Sequence, residues 1–266
     1  MEKLMNFVKK GKINSMHFLL LLMCFFVVNP VYADMSKNDA VNMAGKQRML
    51  TQRMLKNYAM LGMGNSFADP GKDLQQNISL FDEAIKSLMA LQINAEITKS
   101  LKEDEQLWGP IKELIQQTPE IEKVSKLQKD LDALLASCHK TTELIAKASG
   151  ANTSEIINLS GRQRMLSQRL AALYMLQVWG IQDPEFKSNL NDTLDEFDKA
   201  QKVLLQSKLN SPEINAGLAK VKKLYMWFEI MGRSKSGKYV PSIISKSSDK
   251  ILNEMNTITN LYMKAI

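Results

Sequence analysis

The chain has 266 residues, 45% hydrophobic and 24% charged, a globular composition that excludes wholesale disorder and fibrous low-complexity repeats. Glycine (12) and proline (7) are scarce beside Leu, Ala, Lys, Gln and Met, so long helices are expected rather than a many-stranded sandwich. Part of the net charge of +7 sits at the N-terminus, where Lys3, Lys9, Lys10 and Lys12 face only Glu2, and the +4 of residues 34–266 is too mild to indicate nucleic acid as a partner.

Residues 1–33 read as a cleaved signal peptide. After the basic start comes an apolar run of 11 residues, Phe18 to Val28, with Val31 and Ala33 as the small residues before the cut. As a helix that run extends about 16 Å, roughly half of a 30 Å bilayer core. Export to the periplasm is the expectation, with an uncleaved N-terminal membrane anchor as the alternative. Met23 before Cys24 does not fit a lipoprotein signal. Cys138 is then the one remaining cysteine, at an apolar helical phase, and reads as core rather than disulfide. His139 is the one remaining histidine, so metal clusters and His-based triads lack material. No catalytic residue, metal ligand or cofactor is expected, and the protein does not read as an enzyme.

The rest of the chain is written twice. Gly45-Lys46-Gln47-Arg48-Met49-Leu50-Thr51-Gln52-Arg53-Met54 recurs 116 residues later as Gly161-Arg162-Gln163-Arg164-Met165-Leu166-Ser167-Gln168-Arg169-Leu170. The same offset maps Asn42 to Asn158, Tyr58 to Tyr174 and Phe81-Asp82 to Phe197-Asp198. One inserted residue makes it 117, carrying Leu107-Trp108 to Leu224-Tyr225 and Leu144 to Leu261.

Within residues 34–149, a first helix runs from about Asn38 to Gly62–Gly64. A second opens at Asp69-Pro70, a third spans about Glu96 to Gln117, and a fourth opens at Thr118-Pro119 and runs to about Ser149. Residues 150–266 repeat this punctuation at Gly180, Asp183-Pro184, Ser211-Pro212 and a polar loop from Arg233 to Pro241. The expected fold is all-α, two tandem up-down-up-down four-helix bundles joined around Gly150–Ser154.

On a helical wheel the first helix carries two faces rather than one. Met43, Leu50, Met54 and Leu61 form an ordinary core stripe. Nearly opposite lie Val41, Gly45, Arg48, Gln52, Leu55 and Ala59, matched in the second copy by Ile157, Gly161, Arg164, Gln168, Ala171 and Met175. This second face reads as a helix–helix contact surface with a cation built into it. Two such faces meeting about a two-fold axis would bring guanidiniums together, and at about 6 Å they repel by about 3 kcal/mol. A small planar oxyanion between them would turn the repulsion into charge-assisted hydrogen bonds. The meeting is open to Arg48 with Arg164 in one chain, an intramolecular pseudo-dimer, or to Arg48 of two chains in a homodimer. A carboxylate partner for each arginine between bundles is the structural alternative. Arg53 and Arg169 point elsewhere and read as structural ion pairs, with Asp82 and Asp198 as candidate partners.

The stretch Asn158 to Leu170, and nearly as well Asn42 to Met54, resembles the signature of the NarX/PilJ-like periplasmic sensor domain. That family comprises the four-helix input modules of nitrate/nitrite sensor kinases and of type IV pilus chemotaxis-type transducers. The resemblance implies that Gly45 with Arg48, and Gly161 with Arg164, hold a nitrate-like ligand between paired first helices. Gln52 and Gln168, one helical turn on along the same face, are candidates for further donors. Where the nitrate sensors carry a lysine two residues before the glycine, this sequence has Met43 and Leu159, and its Gln-Arg-Met-Leu core is closer to the PilJ-like branch. The family's second membrane helix and kinase output are not seen in this sequence. The signal would therefore pass to a membrane-bound sensor kinase or chemotaxis-type transducer. A ligand-free interaction module, docking a transducer or pilus-associated protein, is the competing reading.

Overall fold

The computed structural model describes residues 35–150, 152–233 and 240–265. Among the described residues are eight helices and no strand: α1 (Lys37–Gly62), α2 (Pro70–Ala90), α3 (Ala95–Ile115), α4 (Ile121–Ser149), α5 (Asn152–Trp179), α6 (Phe186–Leu205), α7 (Pro212–Arg233) and α8 (Pro241–Lys264). The all-α class is as expected. The export signal read over residues 1–33, and the loop at 234–239, lie outside the described residues. No described helix is long and apolar enough to cross a membrane.

Local chemistry sets four of the helix starts. Ser36 Oγ accepts from Asp39 N at 3.1 Å to open α1, Asp69 Oδ1 from Lys72 N at 3.1 Å to open α2, and Asn94 Oδ1 from Ile97 N at 2.8 Å to open α3. Ser211 Oγ does the same for Ile214 N at 3.2 Å, with Pro212 as the first residue of α7. Two starts differ from expectation. Pro119 and Pro184 each precede their helix by two residues, because Glu120 and Glu185 take the cap positions of α4 and α6. Gly150 ends α4 at φ 72°, a left-handed conformation glycine adopts freely.

In the first repeat α1 packs on α2 and α4, and α3 packs on α2 and α4, closing a ring of four helices. The second repeat closes α5–α8 in the same way. The duplicated cores share an aromatic pair, Phe81 with Trp108 at 4.5 Å between ring centroids and Phe197 with Tyr225 at 4.2 Å. Both repeats belong to one compact unit, Ser36–Ile266, and the most extensive helix pairing in it is α1 with α5. These first helices run side by side in the same direction. Near their starts Arg48 bonds Asn158, and near their ends Tyr58 meets Trp179 edge-on. Gly62 makes that end contact feasible, since a Cβ there would fall 2.1 Å from Trp179 Cζ2.

Candidate functional site

Because α1 and α5 each contact both their own bundle and each other, each is buried on two faces, and the repeated arginines lie in the seam. Arg48 is 0% and Arg164 1% exposed. A Cβ on Gly45 would sit 3.4 Å from Nη2 of both arginines; one on Gly161 would sit 3.0 Å from Arg164 Nη2 and 3.6 Å from Arg48 Nη2. The sum of those last two legs is the greatest separation the two Nη2 atoms can have. The structure thus brings Gly45, Arg48, Gly161 and Arg164 together within one chain.

The guanidiniums have neutral partners only. Arg48 Nη1 lies 3.0 Å from His139 Nδ1, and its Nη2 donates to Asn158 Oδ1 at 2.7 Å and to the Asn158 carbonyl at 3.3 Å. Arginine can only donate, so His139 Nδ1 is the acceptor and its Nε2–H faces Glu143 at 3.1 Å. Arg164 Nη1 donates to Asn256 Oδ1 at 2.9 Å, and Asn256 is the repeat equivalent of His139. Arg48 Nε, Arg164 Nε and Arg164 Nη2 are buried without a partner. Burial, helped by Arg162, pulls the Arg48 pKa down to about 10; burial, helped by Arg48, pulls Arg164 down to about 9. Two desolvated cations face each other with no carboxylate between them, a geometry suited to receiving an anion.

Gln52 and Gln168 do not both turn toward this centre. Gln52 Nε2 reaches Thr51 Oγ1 and Asp132 Oδ1, each at 3.4 Å, whereas both amide atoms of Gln168 are buried without a partner. Arg53 and Arg169 form structural ion pairs, but with other acids than Asp82 and Asp198. Arg169 crosses the seam to Asp132 of α4 at 2.5 Å. Arg53 bonds Asp73 at 2.7 Å and crosses to Asp249 of α8 at 3.5 Å, where buried Lys56 joins it at 2.7 Å. Asp132 and Asp249 are repeat equivalents, so the two bundles exchange ion pairs reciprocally. Asp82 instead accepts from Trp108 Nε1 and Lys112 Nζ, at 2.7 and 2.6 Å.

Two clefts flank the seam and are themselves related by the repeat. One, of about 290 Å³, lies between α4, α5 and α6 and is lined by Arg48, His139 and Arg169. The other, of about 410 Å³, lies between α1, α2 and α8 and is lined by Lys46, Arg53 and Asn256. Each leads from solvent to the polar partner of one buried arginine. No group of His, Cys, Asp and Glu suited to a metal occurs among the described residues. Cys138 is a buried free thiol whose pKa burial pushes well up, in keeping with the core role read for it.

Sequence reasoning missed the roles of His139, Asn256 and Asn158 as partners of the buried arginines. His139 drew attention only as a scarce metal ligand, although its repeat equivalence to a second polar residue beside the apolar stripe of the fourth helix was available as a signal. The molecule is thus a duplicated helical bundle whose first helices pair around a cationic centre. The chain belongs to the type IV pili methyl-accepting chemotaxis transducer N-terminal family, whose sequence profile matches residues 34–137, within the first repeat, and 145–225, almost all in the second. No curated protein and no solved structure matches it.

Proposed function

We propose that this protein is an exported, periplasmic sensory protein that binds one small oxyanion of the nitrate or nitrite class between Arg48 and Arg164 and signals through a membrane-bound sensor kinase or transducer. The observation that carries the reading is the convergence of two fully buried guanidiniums that have neutral acceptors and unpartnered N–H groups but no carboxylate. An anion there would satisfy buried donors and remove the repulsion together, and its geometry would tie α1 to α5 across the seam. Membership of a chemotaxis-transducer family and the basic, apolar, small-residue order of residues 1–33 support the sensory and export parts.

The test is a thermal-shift panel with nitrate, nitrite, sulfate, chloride and acetate at matched ionic strength. A ligand bound only by the folded state adds about 2.7 kcal/mol of stability at a hundred times its Kd. A selective shift that disappears in Arg48→Met/Arg164→Met is the expected result. A flat panel would favour the docking reading, which the exposed Met226, Trp227 and Ile230 of α7 support.

A further inference from the structure

The two halves of the arginine centre are related by the repeat, yet their hydrogen bonds are not. Asn42 and Asn158 occupy equivalent positions three residues before Gly45 and Gly161. Asn158 reaches across the seam and places Oδ1 at 2.7 Å from Arg48 Nη2. The reciprocal bond, Arg164 Nη2 to Asn42 Oδ1, is absent, and both of those atoms are buried and unpartnered. One half of the centre is therefore closed by an internal acceptor while the other half presents a bare donor.

A carboxamide oxygen is neutral and serves one guanidinium. An oxyanion offers several acceptor oxygens and a full negative charge, so it can bond both guanidiniums at once and cancel their repulsion, which the single bond to Asn158 does not. Resting on the anion-binding reading above, we propose that Asn158 is a displaceable internal acceptor. Its carboxamide holds the Arg48 half of the centre until an oxyanion anchored on Arg164 Nη2 takes its place. The direct Arg48–Asn158 tie between α1 and α5 is then replaced by a bridge through the ligand, which changes how the two bundles are joined. Asn158 also sets specificity, because a neutral planar molecule such as urea gains no charge advantage with which to displace it.

The experiment titrates nitrate, nitrite and sulfate, and separately urea, into the wild type, Asn158→Ala, Asn42→Ala and Asn158→Asp by calorimetry, with folding checked by circular dichroism. Removing the competitor in Asn158→Ala should tighten binding of the oxyanion that the wild type takes by about tenfold, the worth of one hydrogen bond to a charged group. Asn42→Ala should stay within about twofold of wild type, since Asn42 Oδ1 bonds neither arginine. Asn158→Asp supplies an internal carboxylate, so it should weaken oxyanion binding and raise the melting temperature without added ligand. That pair of effects keeps the proposal testable even where Asn158→Ala folds poorly. Wild-type binding with Asn158→Ala unchanged or weaker overturns the role of Asn158 alone. A wild type that binds none of the three oxyanions overturns the anion-binding reading and this proposal with it.

Discussion

Arg164→Met should leave the protein as stable as wild type, or more so, when no small anion is present. Arg164 is 1% exposed, keeps one hydrogen bond at 2.9 Å to Asn256, and leaves Nε and Nη2 unpartnered. Its pKa lies near 9 rather than at 12.5, a depression corresponding to roughly 5 kcal/mol against the charged form. Relaxation and water shrink such figures, and replacing buried charges by apolar residues of similar volume gains about 1–4 kcal/mol. Against this stands the lost bond to Asn256, about 1 kcal/mol, since half-buried Asn256 remains within reach of water. The net gain is about 0–3 kcal/mol, and at about 2–4 °C per kcal/mol for a chain of this size the melt should hold or rise, by up to roughly 10 °C. The assay is a thermal melt at pH 7 in a buffer whose counterion is a bulky sulfonate, repeated with saturating nitrate. Nitrate should lift the wild type and leave the variant unmoved. A loss of about 3–5 kcal/mol in both buffers, the mark of a broken buried ion pair, would refute the reasoning.

Gly161→Ala should strengthen the helix by up to about 1 kcal/mol yet weaken oxyanion binding sharply, because the new methyl sits 3.0 Å from Arg164 Nη2; Gly45→Ala, whose methyl would lie in ordinary contact at 3.4 Å from Nη2 of both arginines, should do less, and paired melts and titrations check both. Asp249→Asn should cost about 3–5 kcal/mol in a denaturant melt by stranding buried Lys56, whereas Asp132→Asn, whose partner Arg169 is partly exposed, should cost about 1 kcal/mol. Burial raises the Asp104 carboxyl from 3.8 to about 6 despite its bond from Thr141 Oγ1. Its folded pKa exceeds its unfolded one, so its contribution is complete below 3.8 and is lost as pH rises through about 6. Asp104→Asn should therefore gain on wild type by up to roughly 3 kcal/mol between pH 4 and pH 8, read from melts across that range.

Much of this fold was legible because the chain states it twice. The recurring Gly-x-x-Arg motif marked the first helix of each bundle, and caps such as Asp69-Pro70 and Ser211-Pro212 are local chemistry that reads directly from residues. The second face of α1 was visible for the same reason: a bundle helix with one buried side has no use for Gly45 and Arg48 in an apolar stripe. What the wheel could not show is which fourth-helix residues reach that face. His139, Asn256, Asp132 and Asp249 lie far along the chain, and their meeting with α1 and α5 depends on how two bundles pack, which periodicity does not encode. Arg53 pairs with an acid of the neighbouring helix α2, but with Asp73, nine residues before Asp82, which is taken by Trp108 and Lys112, and its second reach, to Asp249, crosses the seam. The asymmetry between Asn42 and Asn158 is farther still from sequence, since identical residues at equivalent positions make different bonds.

A calorimetric titration of nitrate into the purified protein, with Arg48→Met/Arg164→Met as the control, tests the shared arginine centre most directly. The expected result is saturable binding of one nitrate per chain, lost in the control while its helicity and cooperative melt persist. Two independent sites per chain, or binding retained in the control, would contradict a single anion held jointly by Arg48 and Arg164.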